Sequence, residues 1–239
     1  MTLSIEGMRQ GYHDNIVIDD ISFDIEKGEM VSILGPNGSG KSTLIKTICR
    51  IMMPLSGNVS VDGVSIQGME PKEFSHLIGY VPQKYMPTDY VTVFDSVLIG
   101  RAPYMFWSYS DADFLHAEMA MDRMGIFDLA EKYVNNISGG QIQKVVLARA
   151  IAQDPEYFIL DEPTSASDPE GESFFFKKLE EIDGYLIVTH KISKLKKVSR
   201  IVVIEEGKVV SDGTWDELSS DEGLFKKLLE CERRLYDTR

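Results

Sequence analysis

Hydrophobic and polar positions alternate along the start of the chain, and this alternation predicts β-strands. The segments LSIEGM and ISFDIE place apolar side chains at every second position, as expected for strands with one buried face. The turn EKGE follows at residues 26–29, and MVSIL at Met30–Leu34 is a short apolar strand. Further along, GNVSVDG predicts another strand with its turn.

The periodicity then changes to that of a helix. KSTLIKTICRIM places Leu44, Ile45, Ile48 and Ile51 on one helical face, and Cys49 falls on the same apolar stripe as a small core residue. Helical periodicity also prevails from about residue 84 to residue 152, which predicts a helical subdomain inserted into a sheet domain. EYFIL and YLIVTH predict buried strands, RIVVIEEGKVVSDG predicts a hairpin, and the tail from Trp215 onward predicts charged helix.

Composition narrows the functional classes. The chain has 239 residues, enough to bury a large core, and a net charge of −13, which argues against a nucleic-acid binder with a basic face. Its two cysteines form no disulfide framework, so we expect a reducing, cytosolic setting. The N-terminus lacks a signal-peptide pattern, and no apolar run approaches the ~18 residues of a membrane span. We expect a chain that is soluble alone but able to dock on a membrane protein.

A glycine-rich segment, GPNGSGKST, lies between the MVSIL strand and the helix, and it matches the phosphate-binding pattern G-x-x-x-x-G-K-[ST]. Its glycines let backbone N–H groups turn toward phosphate oxygens, and the helix start favours negative charge. Lys41 supplies a charge for the β- and γ-phosphates, and the Ser42 hydroxyl is a ligand for Mg²⁺. The residues predicted to bind a nucleoside triphosphate are Gly35, Pro36, Asn37, Gly38, Ser39, Gly40, Lys41, Ser42 and Thr43.

Polar side chains follow two of the buried strands. Because carboxyl ends of parallel strands line a ligand crevice, Asp161 is predicted to hold Mg²⁺ and Glu162 to take a proton from attacking water. In isolation, a solvated turn would be the favoured explanation for these two acids; it is the preceding phosphate loop that favours a functional role. His190, at the end of YLIVTH, is predicted to contact the γ-phosphate and orient water. Gln83 in GYVPQK offers a neutral oxygen that could reach Mg²⁺.

A second anion-binding turn stands far from the first. Ser138, Gly139, Gly140 and Gln141 open a predicted helix, and they fit the capping box S-x-x-Q. A cap alone explains the serine and the glutamine without any ligand. It does not require two glycines, each of which costs ~1 kcal/mol relative to alanine inside a helix. Glycines are found where another backbone or a phosphate must come close.

These segments together resemble the ABC-type ATPases. ISGGQIQKVVLARAIAQDP followed by ILDEPTSASD is similar to their signature and Walker B block, and the resemblance extends over nearly the whole chain. It implies that Tyr12 stacks on adenine, that Gln83 is the Q-loop, that Ser165–Asp168 is the D-loop and that His190 is the H-loop.

The resemblance also implies an α/β fold and the cofactors ATP and Mg²⁺. The expected architecture is a P-loop NTPase core with a parallel sheet, an N-terminal antiparallel β-subdomain and an inserted α-helical subdomain. We expect one ABC ATPase domain over residues 1–239, with the core and β-subdomain in 1–83 and 153–239 and the helical subdomain in about 84–152.

Pairing of two copies would explain the second anion site. In this family two nucleotide-binding domains associate head to tail, and the ISGGQ of one closes over the γ-phosphate of the other. The sequence departs from the family pattern in details: Ile137 replaces the common leucine, Ser167 is smaller than usual, and Lys191 follows His190 where an acid is frequent. The segment from Glu162 to His190 is also several residues short.

The partner of this ATPase is less strongly indicated. A single ABC domain resembles the subunit that energises a membrane permease from its cytoplasmic side, with an extracytoplasmic solute-binding protein in the complex and no nucleic acid. GRAPY and the Ser/Asp pair downstream are similar to importers of metal chelates such as iron–siderophore, haem or cobalamin. A soluble ATPase of iron–sulfur cluster assembly would keep the same motifs.

Aromatic residues crowd the segment PYMFWSY, which contains Tyr104, Phe106, Trp107 and Tyr109. They are more than a small helical subdomain needs to bury, so some of them are candidates for a permease-docking patch. Burial in the subdomain core is the equally open alternative.

Overall fold

The computed structural model describes residues 1–13, 15–85, 90–165, 168–182 and 184–237. In chain order its strands and helices are β1 (Thr2–Tyr12), β2 (Asn15–Glu26), β3 (Met30–Leu34), α1 (Lys41–Ile48), β4 (Ser56–Val61), β5 (Val64–Ser65), α2 (Pro71–Leu77), β6 (Ile78–Val81), α3 (Val93–Leu98), α4 (Asp111–Met124), α5 (Gly139–Gln153), β7 (Tyr157–Asp161), α6 (Pro169–Leu179), β8 (Tyr185–Val188), β9 (Arg200–Glu205), β10 (Lys208–Gly213), α7 (Trp215–Ser220) and α8 (Leu224–Asp237). They form two units, Met1–Met69 with Asp183–Arg239, and Glu70–Ile182.

The first unit contains an antiparallel sheet in the order β2-β1-β4-β5. The alternation in LSIEGM and ISFDIE gives each strand one buried face. The buried side chains are those of Leu3 and Ile5 in β1 and of Phe23 and Ile25 in β2. The register shifts between Ile5 and Met8, where an extra residue is accommodated. The predicted N-terminal antiparallel strands are therefore confirmed.

Parallel strands form the other sheet of this unit. β3 pairs in parallel with β8 on one side and with β9 on the other, and β10 continues the order antiparallel to β9. Nearly every side chain of β3 and β8 is buried, which explains why MVSIL and YLIV are continuous apolar runs rather than alternating ones. The carboxyl ends of β3 and β8 thus lie at one sheet edge, where the phosphate loop and His190 follow.

The second unit is mainly helical. Its strands β6 and β7 pair in parallel, and α3, α4 and α5 pack against one another. Gly100, just after α3, lies so close to α5 that a Cβ atom would stand 2.2 Å from the Arg149 carbonyl oxygen. In the part of the chain that the structure describes, no helix is both long enough and apolar enough to span a bilayer.

The structure confirms several expectations about the fold and corrects one. The α/β class, the RIVVIEEGKVVSDG hairpin, the burial of Cys49 and the helical tail are all as predicted. The prediction that Ile51 lies on the apolar helical face is wrong. Its side chain is 56% exposed, because α1 ends at Ile48 and the chain turns before Ile51. The domain boundaries expected near residues 84 and 152 stay a prediction.

Candidate active site

The phosphate loop joins β3 to α1 in the first unit. Helix α1 begins at Lys41 after Gly40, whose φ of 103° is a conformation that residues with a side chain rarely adopt. No described side chain caps this helix start, and no acidic residue stands in its first turn. A helix start of this kind favours a bound anion, because its backbone N–H groups and the helix dipole both present positive charge there.

Ser39 lies in this loop, and the Lys41 side chain reaches back to it from the start of α1. The Lys41 ammonium donates hydrogen bonds to the carbonyl oxygens of Gly35, at 2.8 Å, and Pro36, at 2.7 Å. The buried Ser39 hydroxyl has no hydrogen-bond partner among the described residues. A buried cation and an unsatisfied hydroxyl beside an uncapped helix are the groups that a polyphosphate would satisfy, so the loop fits a nucleotide.

Two further predicted residues belong to this unit. The Tyr12 ring, at the end of β1, is exposed, and its hydroxyl donates to the Met52 sulfur at 3.4 Å. His190 is exposed two residues beyond β8, and it lines a cavity of about 190 Å³ together with Gly35. The structure therefore brings His190 beside the first glycine of the phosphate loop.

The two predicted acids, Asp161 and Glu162, and the predicted glutamine, Gln83, belong to the second unit. Asp161 is the last residue of β7 and is buried, and Glu162 follows it with φ at 44°. This left-handed conformation is strained for a residue with a side chain, by ~1–3 kcal/mol, and such strain is concentrated at functional sites. The Gln83 amide nitrogen donates to the Glu162 carboxylate at 2.7 Å. Gln83 and Glu162 are thus brought together although they are distant in sequence.

The turn after Glu162 is compact. The Ser165 N–H donates to the Glu162 carbonyl oxygen at 3.1 Å, and the Ser165 hydroxyl donates to the Gln83 carbonyl oxygen at 3.4 Å. Asp168 caps α6 by accepting the Gly171 N–H at 2.7 Å. Ala166 and Ser167 lie outside the described residues, so the expectation that Ser167 is smaller than the usual D-loop residue stays a prediction.

The Ser138–Gln141 turn forms the predicted capping box at the start of α5. The Ser138 hydroxyl accepts the Gln141 N–H at 3.3 Å, and the Gln141 side-chain oxygen accepts the Ser138 N–H at 3.0 Å. A Cβ atom on Gly140 would meet nothing within 4 Å among the described residues. Crowding by the described residues therefore gives no reason for that glycine, and a cap does not require it.

Two buried hydrogen-bond networks were not predicted from the sequence. In the second unit the Arg101 guanidinium donates to Asp113 at 3.1 Å and to the Ala152 carbonyl oxygen at 2.8 Å, and it stacks 3.5 Å from the Tyr104 ring. The Ser110 backbone N–H, the Ser110 hydroxyl and Arg101 hold the pKa of Asp113 below its ordinary value, although burial opposes them. GRAPY is therefore also a packing element.

The other missed group is Glu232 of α8, whose carboxylate accepts two hydrogen bonds from Ser193. A signal for it did exist in the sequence: Glu232 repeats the helical spacing of the buried residues Phe225 and Leu229, so it occupies the apolar face of a charged helix.

Comparison with known proteins gives the chain its relatives. Residues 18–165 match the family model described as ABC transporter. An uncharacterised ABC transporter ATP-binding protein of Methanocaldococcus jannaschii is 35% identical over 219 residues, which cover 89% of this chain and 86% of that protein. A phosphonates import ATP-binding protein of Halalkalibacterium halodurans is 35% identical over 235 residues, covering 92% and 96%. The iron(3+)-hydroxamate import ATP-binding protein of Bacillus subtilis is 32% identical over 221 residues, covering 89% and 82%.

Solved structures resemble the fold over similar lengths. A bacterial ABC transporter cassette solved as a dimer has a TM-score of 0.80 and 26% identity, covering 90% of this chain and 98% of that one. A dimeric post-hydrolysis state of that cassette, bound to ADP and Pi, has a TM-score of 0.79 and 25% identity with the same coverage. The architecture is that of the P-loop NTPase fold, as predicted.

Proposed function

Because this chain belongs to the ABC transporter family, whose model matches it over residues 18–165, we propose that it powers import of a metal chelate such as an iron–siderophore complex. The chain is an ATP-binding subunit and an ATPase of that family. The observation that carries the catalytic part of the proposal is the phosphate loop, where Lys41 and the buried Ser39 hydroxyl stand beside an uncapped helix start.

Each catalytic residue has a proposed role in phosphoryl transfer to water. Lys41 leaves the loop carbonyls and neutralises the β- and γ-phosphate oxygens, since its ammonium can exchange two neutral acceptors for charged ones. Glu162 takes the proton of the attacking water, and His190 holds the γ-phosphate and orients that water. Tyr12 stacks on the adenine, for which its exposed ring is suited.

The donor set fits Mg²⁺. Ser42, Gln83 and Asp161 would hold the metal, which prefers few protein oxygens together with phosphate oxygens and water. No cluster of three or more His, Cys, Asp or Glu side chains suited to a metal occurs within the described ranges, and Mg²⁺ in a phosphate-loop site does not need one. Gln83 donates to Glu162 through its amide nitrogen, so its side-chain oxygen is the atom that would serve as the metal ligand. Bound Mg²⁺ would neutralise charge on the β- and γ-oxygens.

Two copies are proposed to share each nucleotide. Gly140 has open space where a Cβ atom would stand, and the exposed Ser138 and Gly139 lie next to it. A close approach by a phosphate from outside the chain would explain glycine there, because a side chain would then block contact. In a head-to-tail homodimer, Ser138, Gly139, Gly140 and Gln141 of one copy would close over the γ-phosphate held by the other.

A permease is the proposed membrane partner, which would hold the chain at the cytoplasmic face, and a solute-binding protein would deliver the cargo. Phe106 and Trp107 support this, because their rings contact each other edge to face and are 83% and 88% exposed. Tyr104 and Tyr109 are half-buried instead. Exposed paired aromatics are unfavourable in water and typical of interfaces, so this pair is the proposed docking patch.

The cargo has two candidates. The similarity of GRAPY to metal-chelate importers and the iron(3+)-hydroxamate import relative support an iron–siderophore complex. The phosphonates import relative is more similar in identity and coverage, and it favours a phosphonate as the second candidate. Transport of radiolabelled ferric hydroxamate and of methylphosphonate in cells with and without this chain distinguishes the two.

A soluble ATPase of iron–sulfur cluster assembly is the rival function. Purification of the tagged chain from its native cells under mild detergent separates the hypotheses. Recovery of a polytopic membrane protein in stoichiometric amount supports transport. Recovery of a soluble scaffold without membrane protein contradicts it.

The catalytic proposal is tested by replacing the base. Glu162→Gln is expected to bind ATP about as tightly as wild type but to lower kcat by about 100-fold or more, because a positioned general base contributes ~10²–10⁴-fold. Glu170→Gln is the matched control, since Glu170 is exposed in the first turn of α6. Turnover by Glu162→Gln within about threefold of Glu170→Gln would remove Glu162 from this role.

A further inference from the structure

A buried carboxylate on the C-terminal helix caps the short helix that follows His190. Glu232 is 8% exposed, and its carboxylate accepts the Ser193 backbone N–H at 2.8 Å and the Ser193 hydroxyl at 3.3 Å. Ser193 lies in the first turn of a 3-10 helix, Ile192–Lys197, whose own N-cap residue, Lys191, makes no side-chain cap within the described chain. Glu232 thus supplies from α8 the acceptor that this helix start needs.

His190 stands between two anchored neighbours. Thr189 is buried, and its hydroxyl accepts the Lys191 N–H at 3.1 Å. On the other side Ile192 is buried, and the bond from Ser193 to Glu232 fixes the next residue. An exposed histidine between fixed residues has little freedom of backbone position, so its location depends on both anchors.

The cavity beside His190 shows that α8 also reaches the phosphate loop. Its volume is about 190 Å³, and Gly35 and His190 contribute to its lining together with Leu228, Cys231 and Glu232 of α8. A movement of α8 at Glu232 would therefore also displace His190 and the start of the phosphate loop.

We propose that Glu232 is a positioning residue for His190 and that it links the C-terminal helix to ATP hydrolysis. This inference rests on the proposed contact of His190 with the γ-phosphate. A carboxylate suits the task because it accepts both Ser193 donors at once, and a charged acceptor forms a shorter and stronger hydrogen bond than a neutral one. Displacement of a reacting group by ~1 Å can cost ~100-fold in rate, so a modest shift of His190 would be measurable.

The test compares variants of the full chain in Mg-ATP hydrolysis. Glu232→Leu keeps the side-chain volume and the apolar face of α8 but removes both acceptors, and Glu232→Gln is the milder change should the leucine variant not fold. Both are expected to lower kcat, Glu232→Leu by about tenfold or more, while the KM for ATP stays within about twofold. Ser193→Ala keeps the N–H bond and is expected to stay within about twofold of wild type. Glu230→Gln is the control, because Glu230 is exposed on the same helix.

A second readout needs no hydrolysis. The chain has four histidines, so the ring signal of His190 can be assigned in an NMR spectrum by its loss in His190→Ala. In nucleotide-free protein we expect Glu232→Leu or Glu232→Gln to shift this signal, whereas Glu230→Gln leaves it in place. A merely structural anchor would lower thermal stability without this selective shift.

The outcomes separate this inference from the function on which it rests. If His190→Ala abolishes turnover but the Glu232 variants match Glu230→Gln in kcat, the inference is overturned and the proposed function stands. If His190→Ala turns over at the wild-type rate, the role of His190 fails, and the NMR signal alone decides whether Glu232 positions it. An unmoved His190 signal overturns the inference in either case.

Discussion

Loss of the Asp113 charge should strongly destabilise the helical unit. Asp113→Asn tests this, because it removes the charge and keeps the size of the side chain. The Arg101 and Asp113 side chains are each 6% exposed, and their ion pair spans 3.1 Å. Breaking a buried pair typically costs ~3–5 kcal/mol because one charge is left uncompensated. Arg101 keeps its bonds to the Ala152 carbonyl oxygen and the Tyr104 ring, so the lower end of that range applies.

The same substitution also weakens a helix cap. One Asp113 oxygen accepts both the Ser110 N–H, at 2.9 Å, and the Ser110 hydroxyl, at 2.7 Å, which closes the capping box of α4. An asparagine has a single acceptor oxygen, so it cannot serve Ser110 and Arg101 together, and loss of a cap costs ~1 kcal/mol. The combined loss is about 4 kcal/mol, which corresponds to a decrease in Tm of about 8–16 °C for a chain of this size.

Thermal unfolding followed by circular dichroism at pH 7 measures this, with Asp111→Asn as the control because Asp111 is exposed in the same first turn. The pKa of Asp113 is lower in the folded protein than its ordinary value of 3.8. The stability that its charge contributes is therefore complete above pH 3.8 and is lost as the pH falls through the pKa of the folded state. The difference in unfolding free energy between wild type and Asp113→Asn should therefore be constant from pH 7 to about pH 5 and should decrease in stronger acid. A Tm of Asp113→Asn within about 2 °C of that of Asp111→Asn at pH 7 would show that the buried Asp113 charge contributes little to stability.

The remaining predictions concern the aromatic patch and one close backbone contact. Phe106→Ala and Trp107→Ala should leave Tm and basal ATPase activity unchanged, because both rings are exposed, while transport in cells falls; loss of activity in the isolated chain would mark core residues instead. Gly100→Ala should lower the free energy of unfolding by about 2 kcal/mol or more in urea titration, because its Cβ would meet the Arg149 carbonyl oxygen at 2.2 Å. Gly68→Ala, where a Cβ meets nothing within 4 Å among the described residues, is the control and should be nearly neutral.

Features encoded by short-range pattern were predictable from the sequence. Alternation gave β1 and β2, and the strand–loop–helix order around GPNGSGKST located the phosphate loop. The capping box at Ser138 was predictable because both of its hydrogen bonds join residues three positions apart. Such signals lie within one helical turn or strand, so they do not depend on the rest of the fold.

Features set by tertiary contact were not predictable. Gln83 and Glu162 are 79 positions apart, and Ser193 and Glu232 are 39 apart, with no periodicity that relates them. The positive φ of Glu162 also has no local signal, because glutamate does not favour that conformation and the surrounding fold must impose it. Ile51 failed for the opposite reason: its spacing fits the helical face, but the helix ends before it.

The sharing of ATP between two copies is tested most directly by sedimentation velocity of the Glu162→Gln chain in saturating Mg-ATP. This variant should hold ATP without hydrolysing it, so we expect it to sediment as a dimer and to return to monomer when ATP is replaced by ADP. Adding Ser138→Arg, which places a large side chain where the partner's phosphate would stand, should keep it monomeric. A Glu162→Gln chain that binds ATP and still sediments as a monomer would show that two copies do not share the nucleotide.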